Sequence, residues 1–138
     1  MGRRRFAAVA LCALILIASG CAQASTIPAN RATTTVGLPT CPLNTLPPEV
    51  VDTVRVIHAG GPFPFPRNDG VVFGNREGHL PDQRRGYYRE YTVITPGARN
   101  RSTKRIITGG APRTDPPQYF YTGDHYDSFC TVADAGRP

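Results

Sequence analysis

The segment PPEVVDTVRVIHAGGP, residues 47–62, decides the fold class because it carries a clear helical period. Val50, Val51, Val54 and Ile57 recur at intervals that place apolar side chains on one face of a helix. The two prolines and the glutamate suit a first helical turn. The run Gly-Gly-Pro at 60–62 is typical of a helix end. We therefore predict one amphipathic helix here.

Short runs rich in aromatic and β-branched residues follow this helix and predict strands. The predicted strands are residues 71–73, 87–94, 105–108, 119–122 and 126–130. Turn and proline-rich segments separate them, including Asn68-Asp69-Gly70 and residues 109–118. One helix followed by closely spaced strands predicts an α+β fold, with the N-terminal helix packed on a small antiparallel sheet.

The N-terminal region predicts export. Arginines at 3–5 precede an apolar run at 6–18, which is too short to span a bilayer comfortably, and small residues follow. Cleavage after Ala24 predicts a signal peptide at 1–24 and a secreted, extracellular protein. Alternatively, residues 18–21 match a lipoprotein signal ending at 20, which would leave the protein anchored to the membrane through an acylated Cys21. Residues 25–40, rich in Thr and Pro, predict a flexible lead or tether before a domain at 41–138.

Export makes the cysteines informative. Cys12 and Cys21 belong to the signal region, so Cys41 and Cys130 are the pair within the domain. In an oxidising compartment such a pair is most simply one disulfide. Loop-entropy models give a bridge of this span about 4–5 kcal/mol of stabilisation, less any strain.

Charge is concentrated in the middle of the chain. Removal of the three signal-peptide arginines lowers the net charge from +6 to +3. Seven basic residues nevertheless fall between positions 84 and 105, against one acid: Arg84, Arg85, Arg89, Arg99, Arg101, Lys104 and Arg105. A segment of this charge suits a polyanionic partner, although a solvated face of unrelated arginines has the same composition.

Four residues in and after this segment carry the chemistry. Glu90 lies in a predicted strand, Arg101 and Arg105 follow it, and His125 lies in the turn-like sequence Gly-Asp-His-Tyr. A carboxylate, an imidazole and two guanidiniums are the groups needed to accept a proton, donate one and hold a phosphate. This combination predicts cleavage of a phosphodiester without a metal or other cofactor.

Eight blocks of sequence stand out along the domain: LPPE at 46–49, GPFP at 61–64, DGVVF at 69–73, NRE at 75–77, GYY at 86–88, EYTVITPGAR at 90–99, RIITG at 105–109 and YTGDHY at 121–126. In this order they resemble the extracellular guanyl-specific ribonucleases of actinomycetes, within the barnase-like microbial ribonucleases. The resemblance covers residues 41–130. It implies an endonuclease that cuts single-stranded RNA on the 3′ side of guanosine through a 2′,3′-cyclic phosphate.

The resemblance also implies a role for each matching residue. Glu90 is the general base and His125 the general acid, while Arg101 and Arg105 bind the phosphate. The substrate-binding residues are Phe73, Asn75, Arg76, Glu77 and Tyr126. Glu77 recognises guanine together with backbone amides around Asn75 and Arg76, and Phe73 lies against the base. Tyr126 helps to bind the phosphate. In this family the second cysteine lies several residues nearer the C-terminus than Cys130, so the predicted disulfide rests on the compartment argument alone.

The remaining expectations concern partners and alternatives. The family resemblance and the basic cleft predict a monomer whose activity is inhibited by a small acidic protein similar to barstar. A different class of protein, a surface lipoprotein that binds RNA without turnover, is the alternative. The complete set of Glu90, Arg101, Arg105 and His125 argues against that alternative, because a binder does not need all four groups. A ribonuclease used as a toxin against neighbouring cells would have identical chemistry.

Overall fold

The computed structural model describes residues 37–136. The predicted signal peptide, the lipoprotein cysteine Cys21 and residues 25–36 of the predicted tether lie outside the described residues. In the described part, no helix is long and apolar enough to cross a membrane.

The predicted helix is present as α1, Pro48–Ala59. It begins at a proline that needs no amide hydrogen bond in the first turn, and Glu49 lies near its positive N-terminal end. It ends at Gly60, whose left-handed backbone (φ 73°) lets the amides of Gly60 and Gly61 cap the last turn. A short 3₁₀ turn, Leu43–Thr45, precedes the helix.

Five antiparallel strands form one sheet in chain order. Their bounds are β1 Val71–Val72, β2 Tyr88–Thr92, β3 Arg105–Gly109, β4 Gln118–Thr122 and β5 Cys130–Thr131. The α+β prediction is therefore confirmed, including the antiparallel sheet and the single α-helix before it in the described region.

The two faces of the sheet are covered differently. On one face, Val50, Val54 and Ile57 of α1 pack with Tyr91 of β2 and Ile106 of β3. On the opposite face lies a second apolar cluster formed by Leu80, Tyr88, Ile107, Phe120 and Phe129. Since side chains alternate along a strand, polar residues next to the second cluster face away from the helix.

The prediction of a strand over residues 126–130 is wrong for residues 126–129, because only Cys130–Thr131 pair with β4. The side chain of Asp124 accepts hydrogen bonds from the Thr122 hydroxyl and the Ser128 amide, and so folds the chain into a tight turn. His125 and Tyr126 have positive φ values of 60° and 79°, which are incompatible with a strand. Local side-chain bonding therefore outcompetes strand propensity at this point.

A disulfide joins Cys41 and Cys130, as predicted. Beside it, the end of the predicted tether is hydrogen-bonded to the sheet. The Thr131 amide donates to the Pro39 carbonyl at 2.8 Å, and the Cys41 amide donates to the Thr131 carbonyl at 2.9 Å. The bridge and this edge pairing together fasten the start of the domain to β5.

Candidate active site

The register of the sheet brings Glu90 and Arg105 to one face. Glu90 of β2 pairs with Ile107 of β3, and Thr92 pairs with Arg105. Side chains directly opposite each other share a face, as do side chains two residues apart on one strand. Glu90, Thr92 and Arg105 therefore lie on the face opposite α1, beside the second apolar cluster.

The Glu90 carboxylate lies among three groups. Its Oε2 accepts a hydrogen bond from the Tyr126 hydroxyl. Arg101 Nη2 and Arg105 Nε each lie 3.9 Å from the same oxygen. The Glu90 side chain is 16% exposed, so it can be reached from solvent while its charge is balanced by two cations.

Backbone carbonyls hold the guanidinium of Arg105 in place. Its Nη1 donates to the carbonyls of Lys104 at 2.7 Å and Arg101 at 3.1 Å, and its Nη2 donates to the carbonyl of Ser102 at 2.9 Å. The side chain is only 3% exposed. The loop at 101–104 thus wraps around the Arg105 guanidinium and orients it through these three hydrogen bonds.

Two buried side chains, Thr92 and Asp69, hold the guanidinium of Arg101. Its Nε donates to Thr92 Oγ1 at 2.9 Å, and that hydroxyl donates to Asp69 Oδ1 at 2.6 Å. Asp69 also accepts hydrogen bonds from the amides of Thr92 and Phe65, and its Oδ1 lies 4.0 Å from Arg101 Nη2. Asp69, which is buried, thus orients the guanidinium of Arg101, one of the two arginines predicted to bind the phosphate.

The sequence did not predict this role of Asp69, because Asp69 was interpreted only as part of a turn. The Asn68-Asp69-Gly70 sequence is a sufficient explanation for a turn, so the sequence carries no signal of burial. The pairing of β1, Val71–Val72, with β2 is what brings the preceding Asp69 beside Thr92.

Two buried nitrogens face Glu90 without a hydrogen-bond acceptor among residues 37–136. They are Arg101 Nη2 and Arg105 Nε. Buried guanidinium nitrogens are normally paired, and an unpaired one costs free energy. Two such donors directed at one point form an arrangement suited to the oxygens of a phosphate.

His125 lies at the edge of this site in an exposed turn. Its amide donates to the Thr103 carbonyl at 3.3 Å, and the Thr103 hydroxyl donates to the Gly123 carbonyl at 2.7 Å. Its ring lies 4.7 Å from that of Tyr126, measured between centroids. His125 and Arg101 also line one open depression. Tyr126 therefore contacts both predicted proton carriers.

The hydroxyl of Tyr126 stays protonated over a wide pH range. Burial raises its pKa, and the hydrogen bond to Glu90 and the negative charge of that carboxylate raise it further. Tyr126 consequently acts as a hydrogen-bond donor in this site.

The remaining predicted substrate-binding residues lie along one groove of about 660 Å³ that also reaches Glu90 and Tyr126. Phe73 packs against Tyr126 with ring centroids 5.1 Å apart. Asn75, Arg76 and Glu77 form the adjoining loop, with Arg76 and Glu77 exposed. All nine predicted catalytic and substrate-binding residues therefore border the groove or the adjoining site.

The side chain of Asn75 stabilises the loop through two hydrogen bonds to the Leu80 backbone. Its Nδ2 donates to the Leu80 carbonyl at 2.8 Å, and its Oδ1 accepts from the Leu80 amide at 3.0 Å. The loop is thereby closed on itself. The amides of Gly74, Asn75 and Arg76 donate to no acceptor within residues 37–136, so they are available to a ligand.

Residues 37–136 contain no group of three or more His, Cys, Asp or Glu side chains placed to hold a metal ion.

Comparison with known proteins identifies the family to which this chain belongs. The family model for ribonucleases matches residues 29–133. Guanyl-specific ribonuclease Sa of Kitasatospora aureofaciens is 58% identical over 90 residues, which are 65% of this chain and 88% of that protein. Guanyl-specific ribonuclease St of Saccharopolyspora erythraea is 54% identical over 84 residues, 61% of this chain and 77% of that protein.

Solved structures give the same result. The crystal structure of ribonuclease Sa2 with guanosine-2′-cyclophosphate superimposes with a TM-score of 0.62 at 40% identity, covering 70% of this chain and 96% of that one. The resemblance predicted from the sequence blocks is thus confirmed, and the chain belongs to the ribonuclease family.

Proposed function

We propose that this protein is a guanyl-specific endoribonuclease that cleaves single-stranded RNA on the 3′ side of guanosine through a 2′,3′-cyclic phosphate. The observation that carries this proposal is the convergence on the Glu90 carboxylate of two buried guanidinium nitrogens that have no hydrogen-bond acceptor among residues 37–136. The relatives are guanyl-specific ribonucleases, and ribonuclease Sa2 binds guanosine-2′-cyclophosphate. The alternative of an RNA-binding protein without turnover is not favoured.

In the first step, Glu90 accepts the proton of the ribose 2′-hydroxyl, and the 2′-oxygen attacks the adjacent phosphorus. The bond from phosphorus to the 5′-oxygen of the next nucleotide breaks, and the His125 imidazolium protonates that oxygen. In the second step His125 accepts a proton from water, which attacks the cyclic phosphate. Glu90 then returns its proton to the departing 2′-oxygen, so both residues regain their starting states.

Arg101 and Arg105 stabilise the charge that builds on the phosphate oxygens. Arg101 Nη2 and Arg105 Nε, which have no hydrogen-bond acceptor among residues 37–136, donate to these oxygens, and the Tyr126 hydroxyl assists. Since Arg105 is already held by three carbonyl groups, little reorganisation accompanies the reaction. DNA lacks the 2′-hydroxyl nucleophile and is not cut.

Guanine is read by the loop that follows β1. The Glu77 carboxylate accepts hydrogen bonds from guanine N1–H and the 2-amino group, and amides of residues 74–76 donate to O6. Phe73 lies against the base. Adenine presents the opposite pattern of donors and acceptors, so it leaves these groups unpaired and is discriminated against.

The biological setting in this proposal is that of an exported monomer. Residues 1–24 direct export, with lipid anchoring through Cys21 as the alternative route. A barstar-like acidic protein in the cytosol would protect the producing cell, because the basic phosphate site attracts acidic side chains.

Cleavage of dinucleotides tests the activity and the base assignment together. We would express residues 25–138 and offer GpC, ApC and UpC in the presence of EDTA. Rapid cleavage of GpC alone, with the cyclic phosphate appearing first, is the expected result. Equal cleavage of all three would remove the Glu77 assignment, and no cleavage of GpC would overturn the proposed function.

A further inference from the structure

Two arginines of the groove have no part in the mechanism described above. Arg84 and Arg85 lie in the segment that leads into β2, and both line the groove that holds Glu77 and Glu90. Both are exposed. Arg89, from the same basic segment, is not among the residues that line this groove and donates instead to the Gly70 carbonyl at 3.2 Å. The basic segment is thus divided by the fold, and only part of it borders the substrate groove.

The sheet places Arg84 and Arg85 at the end of β2 opposite the phosphate-binding arginines. Arg105 lies across from Thr92, the last residue of β2. Arg84 closes a turn with Tyr87 (amide to carbonyl, 3.1 Å) immediately before β2 begins at Tyr88. Between these ends lie Glu90 and, across from Tyr88, Phe73. A guanosine stacked on Phe73 therefore has a basic site at each end.

Neither Arg84 nor Arg85 has an acidic partner in the part of the chain that the structure describes. Within residues 37–136 neither side chain forms an ion pair or a hydrogen bond, although Asp82 and Glu77 border the same groove. Arg55 differs, because it pairs with Asp52 at 2.7 Å. Unpaired guanidiniums beside a polyanion groove gain affinity by releasing counterions from phosphates.

We propose that Arg84 and Arg85 form a second phosphate subsite, for the RNA backbone on the 5′ side of the recognised guanosine. The inference rests on the proposed function, because it takes the scissile phosphate to lie at Arg101 and Arg105. A strand whose 3′ phosphate lies at one end of β2 and whose guanine lies against Phe73 continues upstream past the start of β2. The subsite speeds cleavage of substrates that extend beyond the guanosine on the 5′ side, and it has no contact with a dinucleotide.

The test compares GpC with UpUpGpC, which adds two upstream phosphates and leaves the scissile bond unchanged. The variant is R84A/R85A. Its matched control, R55A/R113A, also removes two exposed arginines, but these do not line the groove. We expect kcat/KM of R84A/R85A for UpUpGpC to fall about five- to tenfold at low salt, with the GpC value unchanged. The slope of log kcat/KM against log salt for UpUpGpC should fall by about 1.4, as expected for two phosphate contacts to a single strand.

The unchanged GpC rate serves as the measure of folding and of an intact catalytic site. Equal loss on both substrates, no loss on either, or the same loss in R55A/R113A would each overturn the subsite. Failure of the wild-type protein to cleave GpC would instead overturn the proposed function, so the two failures are distinguishable.

Discussion

The two ends of the proposed substrate site are built differently: the phosphate end at Arg101 and Arg105, and the base end at residues 73–77. At the phosphate end, the Arg105 side chain is 3% exposed and is held by three backbone carbonyls, and Arg101 is held through Thr92 by buried Asp69. At the base end, Arg76 and Glu77 are exposed on a loop that the side chain of Asn75 closes. Charge stabilisation requires donors that are oriented beforehand, whereas base recognition uses amides that a loop can present. Changes at the phosphate end should therefore alter both rate and stability, and changes at the base end should alter guanine recognition without altering stability.

The largest expected effect is on the proton carriers. Glu90→Gln and His125→Gln should each lower kcat for GpC by about 10²–10⁴-fold, because each removes a proton-transfer step. Nucleotide binding, measured by titration with guanosine 3′-monophosphate, should persist. His79→Gln, at an exposed histidine outside the site, is the control. A variant of Glu90 or His125 with nearly wild-type turnover would show that the proton carrier is misassigned.

Asp69→Asn tests whether the phosphate end depends on its buried support. Both carboxylate oxygens of Asp69 accept hydrogen bonds, so an amide places an N–H group against another donor. We expect a loss of about 2–4 kcal/mol in the free energy of unfolding, measured in urea. Since Arg101 loses its orientation, kcat/KM for GpC should also fall about tenfold. Asp52→Asn, at an exposed carboxylate, should change neither.

Glu77→Gln tests the base end. The amide retains one acceptor but places a donor against guanine, so kcat/KM for GpC should fall roughly 10- to 100-fold while that for ApC stays low. The urea midpoint should not change, because the side chain is exposed. Asp82→Asn, which borders the same groove, is the matched control. A drop in stability comparable to that of Asp69→Asn would contradict the contrast between the two ends.

The smallest effect concerns the turn that carries His125. Hydrogen bonds from the Ser128 hydroxyl and amide lower the pKa of Asp124 from 3.8 to about 2. Because the folded pKa is the lower one, this stabilisation is present above about pH 4 and is lost as the pH falls through 2. Ser128→Ala should lower Tm by a few degrees at pH 6, equivalent to about 0.5 kcal/mol for this exposed pair. The difference in Tm should shrink as the pH approaches 2; a difference independent of pH would rule out the Asp124 charge as its source.

Most of the fold could be predicted from local patterns. The helix was found because apolar side chains recur at its own period and glycines end it, and four strands were found because aromatic and β-branched runs have a strong preference for sheets. The fifth strand was misplaced at residues 126–129 since a single carboxylate, Asp124, bends that segment. Strand propensity does not register such a competing side chain.

Most residues of the candidate site could be predicted because they lie in the sequence blocks that resemble the ribonuclease family. Glu90, Arg101, Arg105, His125 and the 73–77 loop could be singled out in that way. Asp69 could not, because its burial depends on contact with Thr92, which is 23 positions away along the chain.

The amino-acid sequence by itself determined the export signal prediction, the helix, most strands, the family and the set of groups able to transfer protons and hold a phosphate. Only the tertiary structure showed where each cation lies and which groups hold it. Strand register places Arg105 at Glu90, loop carbonyls hold its guanidinium, and Asp69 orients Arg101, whereas Arg84 and Arg85 lie at the opposite end of β2. The physical reason is that charge and residue type are local properties, while burial and pairing arise from contacts between distant segments.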